Sequence, residues 1–185
     1  MLRAGTGGSY HGMMTAHLAL HLAAIALAAL ALWSMRHEIT ERATARRDWV
    51  LAPVLAVLAA GLLVLVSPGK RFELWLVCIG AGLASGLVVG MTLKGEKDFA
   101  QNLIRMHRAW DGLAAAALLF LLALTRFVTT DLMGRPSGGF GVLAAAAVFL
   151  ATYLVGRALT FHLYTAPRSI HLDMVPGQKR RRRGD

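Results

Sequence analysis

The chain has 185 residues, 56% hydrophobic and only 16% charged, with a formal net charge of +10 and a single cysteine, Cys78. This excludes a chain disordered over most of its length, which would need low hydrophobicity, and a disulfide scaffold, which would need paired cysteines. A charged share well below the roughly 25% usual in soluble domains points to the bilayer.

Five segments are apolar over about the 20 residues that a helix needs to cross the hydrocarbon core. The first, 15–34, is interrupted only by His17 and His21, and the basic residues that follow it, from Arg36 to Arg47, favour a retained anchor over a cleaved signal peptide. The second, 49–67, holds no ionisable residue, and Pro68-Gly69 predicts a tight turn after it. The third, 72–93, carries Glu73 near one end. The fourth, 110–128, opens with Trp110 and Asp111 and closes around Arg126; the fifth, 140–164, is uncharged until Arg157. The runs are continuous and rich in Ala and Leu, without the alternation of a membrane barrel. The expected fold is therefore all-α, a bundle of five membrane-spanning helices in one domain (15–166), with an N-terminal tail (1–14) and a basic C-terminal tail (167–185). Between the third and fourth spans, Phe99, Leu103, Met106 and Trp110 recur at helical spacing, which predicts an amphipathic surface helix.

The positive charge is an orientation signal. Outside the helices, Lys and Arg number 4 on one set of alternate loops and 14 on the other. By the positive-inside bias this places the N-terminus outside and the C-terminus in the cytoplasm of a bacterial inner membrane. Trp33, Trp49, Trp110 and Tyr164 fall near the proposed inner interface, and Trp75 and Phe140 near the outer one. The tail Lys179 to Arg183 has no stacking aromatic beside it, so it reads as an anchor on anionic lipid and not as a nucleic-acid element.

Gly82, Gly86 and Gly90, four residues apart, form a small-residue face on the third helix that lets another backbone approach, from this chain or a second copy. Intramembrane ionisable groups are costly, and so mark positions that need a partner. Tyr153, Arg157, Thr160 and Tyr164 make a polar stripe on the fifth helix. Asp111 lies at the same depth, which predicts an Asp111–Arg157 pair or a shared ligand pocket. Glu73 and Arg126 are the candidate ion pair at the outer side. His17 and His21, spaced i, i+4, could hold a metal ion, with Cys78 or Met133 as a further ligand. His107 and His162, near the inner ends of different helices, could bracket a haem. No phosphate loop, CxxC or nucleophile–base pair is readable.

The stretches GAGLASGLVVGMTLKGE (80–96) and VFLATYLVGRAL (148–159), with Arg126-Phe127 ending the helix between them, resemble the CcdC-like bacterial membrane proteins over about 49–167. That resemblance implies a four-helix membrane core, to which the His-bearing first helix is an addition, and a loose link with cytochrome c maturation. It assigns no activity to individual residues. The expected function is a non-enzymatic accessory or scaffold subunit, self-associating or bound to other membrane subunits, with no cofactor; the alternative is a small carrier or redox subunit holding haem or a metal ion.

Overall fold

A computed structural model describes residues 7–40, 44–67, 72–93, 95–98, 103–106, 109–134 and 140–164. The chain forms a helical bundle of α1 (Gly7–Ser34) with its short continuation α2 (Arg36–Thr40), α3 (Arg46–Leu65), α4 (Phe72–Thr92), α5 (Asp111–Phe127) and α6 (Phe140–Tyr164). Four stretches, Thr15–Thr40, Phe72–Thr92, Asp111–Leu132 and Gly141–Leu163, are long and apolar enough to cross a membrane. The apolar run of α3, Trp49–Leu65, is shorter.

Burial follows stripes of alanine. On α1 and α2 the buried positions are His21, Ala24, Ala28, Ala31, Met35 and Glu38, at alternating spacings of three and four. Matching stripes run through Ala52, Ala56, Ala59 and Leu63 of α3, through Ala116, Leu119, Ala123 and Arg126 of α5, and through Ala144, Ala147, Ala151 and Leu154 of α6. In lipid there is no hydrophobic drive between helices, so close packing of small side chains has to supply the attraction. Leucine and valine are turned outward, and many of them are half exposed, as a lipid-facing surface requires. The continuity of the first stripe survives the break at Met35, whose N–H reaches the carbonyls of Ala31 and Leu32. The chain passes through a tightened turn without changing face.

α6 is the hub, packing on α3, α4 and α5, while α1 packs on α3 and α5. The contact between α6 and α4 is made by glycine. A Cβ added to Gly90 would lie 2.8 Å from the Arg157 carbonyl oxygen, and one added to Gly86 would fall on the Tyr153 carbonyl. A Cβ on Gly82 would meet the Phe149 carbonyl oxygen at 2.5 Å, and one on Gly156 of α6 the Leu83 carbonyl oxygen at 2.6 Å. The small-residue face of α4 thus has an internal partner, α6.

The expected surface helix around residues 99–110 takes another form. β2 (Gly95–Asp98) and β3 (Leu103–Met106) pair antiparallel, Gly95 opposite Met106 and Asp98 opposite Leu103, and β1 (Thr44–Ala45) adds to the other edge of β3. The physical reason is that β3 finds backbone partners on both sides, which satisfies its amides as fully as a helical turn would. This small sheet ties the loop after α2 to the loop after α4. Phe99, the Pro68-Gly69 turn and the basic C-terminal tail lie outside the described residues.

Candidate functional site

The main cluster is built where α2, α5 and α6 meet. Arg157 stands seven residues before the end of α6 and is 1% exposed. Its Nη1 donates to Glu38 Oε1 at 2.7 Å and its Nη2 to Glu38 Oε2 at 2.8 Å, a bidentate fork onto a carboxylate that is itself fully buried. From the other side, Arg157 Nε donates to Asp111 Oδ2 at 2.5 Å, and the Tyr153 hydroxyl donates to the same oxygen at 2.9 Å. Asp111 occupies the first turn of α5, where the helix dipole also favours its charge. Its side chain, 31% exposed, is the only one of the Glu38–Arg157–Asp111 set that reaches the surface.

Gly112 makes room for this arrangement. A Cβ there would lie 2.7 Å from Glu38 Oε2 and 2.8 Å from Arg157 Nη1. The guanidinium–carboxylate fork therefore rests directly on the backbone of α5. Beside it, the ring of His37 stands edge-on to Trp49 at 5.1 Å, and Trp49 stacks on Phe161 at 4.9 Å.

Of the polar stripe on α6, the structure brings Tyr153 and Arg157 together with Asp111. Thr160 belongs to another face: it is fully buried, its hydroxyl donates to the Gly156 carbonyl at 3.0 Å, and its Cβ faces Gly90 of α4. Tyr164 is the last residue of α6.

At the opposite end of the bundle, α5 runs on into a π-helical turn, Val128–Leu132, closed by the Met133 N–H on the Val128 carbonyl at 3.0 Å. The wider turn rotates Asp131 toward α1. There its Oδ2 lies 2.5 Å from Nδ1 of His21, which is 1% exposed. Gly134, at φ +59°, then leaves the helix in the left-handed region open to glycine. Arg126 is 2% exposed and donates from Nη1 to the Leu63 carbonyl at 2.6 Å. That carbonyl is an orphan of the α3 terminus, because Ser67 N–H turns instead to Val64. A buried cation here caps the negative end of α3. Glu73, the partner expected for Arg126, is exposed in the first turn of α4, a helix that packs on α6.

The i, i+4 histidines diverge: His17 is exposed while His21 is buried against Asp131. Among the described residues no group of three His, Cys, Asp or Glu side chains is placed to hold a metal ion. Cys78 is half-buried, with its thiol free. His162 lines a groove between α3 and α6, and His107 lies outside the described residues.

Sequence reasoning missed Glu38 and Gly112. The signal for Glu38 was present, because it continues the His21–Met35 stripe by one more step of three. No family model, curated protein or solved structure matches the chain.

Proposed function

We propose that this integral membrane protein is a non-enzymatic accessory or scaffold subunit of the bacterial inner membrane, one that associates with itself or with other membrane subunits. One observation carries the reading. Arg157, the strongest candidate for an intramembrane ligand site, directs Nε, Nη1 and Nη2 at carboxylates of its own chain. A substrate or ion site keeps a charged group available for its ligand; this one is engaged in joining α2, α5 and α6. In this proposal the N-terminus lies outside, the C-terminus in the cytoplasm, and the segment Lys179 to Arg183 rests on anionic lipid. The resemblance to the CcdC-like family, with its link to cytochrome c maturation, belongs to the same proposal.

A second reading has one observation in its favour. The Nε2 of buried His21 has no hydrogen-bond partner among the described residues, which leaves a nitrogen for haem or a metal in a small carrier or redox subunit. Purification of the full chain in mild detergent separates the two. The accessory reading predicts defined co-purifying membrane subunits, or self-association, with no visible absorption band and no stoichiometric metal. A Soret band or bound metal that disappears in His21→Ala or His162→Ala would overturn it.

A further inference from the structure

We propose that the groove between α3 and α6 is a binding site for an anionic phospholipid, with the acyl chain along the groove and the headgroup at the basic end of the bundle. The inference rests on the membrane placement of the bundle and not on its accessory role.

The groove encloses about 360 Å³. Its walls are Pro53, Val54 and Val57 of α3 and Val155, Ala158 and Leu159 of α6, all apolar. Val54, Val57 and Leu159 are half exposed, so the groove opens sideways, where lipid tails lie. From Trp49 to Leu58 it rises about 14 Å at the helical pitch, near half of a 30 Å hydrocarbon core. One acyl chain of a single leaflet has that reach. The two polar-tipped aromatics on the groove, Trp49 and His162, both sit at the same end, with Phe161 stacked on Trp49. Such side chains settle at the headgroup level with their bodies in the apolar region.

Charge at that end selects the headgroup. Arg46 and Arg47 occupy the first turn of α3, just before Trp49, where the helix N-terminus adds its own positive potential. Arg36 is exposed and directly precedes His37, whose ring stands against Trp49. The Arg36 guanidinium lies 3.9 Å over the exposed ring of Trp33, so it adds to the positive potential of this end without lining the groove. Basic residues near a membrane surface attract anionic lipid, and basic pockets between spans hold anionic headgroups. Two or three such residues give a preference for anionic over zwitterionic lipid of about tenfold or more.

The test is native mass spectrometry of the full chain in mild detergent, supplied with phosphatidylglycerol or with phosphatidylcholine of identical acyl chains. The expected result is retained phosphatidylglycerol in preference to phosphatidylcholine by about tenfold. Val54→Trp and Leu159→Trp, which fill the groove from its exposed side and leave the packed core alone, should each abolish retention. Removal of residues 179–185 should leave it in place. Equal retention of the two lipids, retention unchanged in both Trp variants, or retention lost with the tail alone would overturn the proposal. So would a shift from dimer to monomer in the Trp variants without loss of lipid, which would assign the groove to a second copy.

Discussion

At the scale of single residues, the buried ionisable side chains His21, Glu38, Arg126 and Arg157 each meet at least one partner, and the cost of breaking such a set exceeds the net worth of keeping it. His21 and Asp131 are the simplest case. Asp131→Ala leaves an imidazole buried without its acceptor, and the expected loss is about 1–3 kcal/mol of stability, read from thermal unfolding in detergent. The double variant His21→Leu/Asp131→Leu should recover most of that loss, because no polar atom is then stranded. Gly112→Ala is expected to cost about 1–3 kcal/mol, since its methyl group would enter the space between Glu38 Oε2 and Arg157 Nη1. Asp111, Arg157 and Tyr153 were legible in the sequence from their spacing and shared depth. Glu38 was hidden because it lies beyond Ser34, where the first apolar run and α1 both end, in the short continuation α2. Burial of a carboxylate there depends on the Arg157 fork, which no local pattern announces.

At the scale of helices, packing is decided by alanine stripes within the bundle and by glycine at the α4–α6 seam. Gly86→Ala should destabilise α4 by about 1–3 kcal/mol, because the Tyr153 backbone cannot move aside as a side chain would. Gly80→Ala is the matched control: nothing lies within 4 Å of its added Cβ, so its effect should stay within about 0.5 kcal/mol. Limited proteolysis of the segments flanking α4, together with thermal unfolding, distinguishes the two. The helices themselves were legible because apolar runs of this length have one stable form in lipid. The small sheet was not. Strands of two and four residues carry too little periodicity to compete with a helical spacing of three and four, and the pairing of β1 with β3 joins residues about 60 apart.

At the scale of the whole molecule, the chain holds an apolar alanine core between two polar ends. One end has the Glu38–Arg157–Asp111–Tyr153 cluster, the other the His21–Asp131 pair and the Arg126 cap on α3. The sign bias of the loops should set its orientation, so reporter fusions at the C-terminus should be active only in the cytoplasm, and fusions in the 68–71 loop only outside. Paired charges at one end make the cluster a clasp among α2, α5 and α6, and this is the claim from which the accessory reading grows. A double-mutant cycle on Glu38 and Arg157, followed by thermal unfolding in mild detergent, tests it most directly. Glu38→Ala and Arg157→Ala should each cost about 3–5 kcal/mol. The double variant should cost less than the sum of the two by about 1 kcal/mol or more. Single losses within about 0.5 kcal/mol that simply add would contradict it, and would return Arg157 to the role of a ligand group.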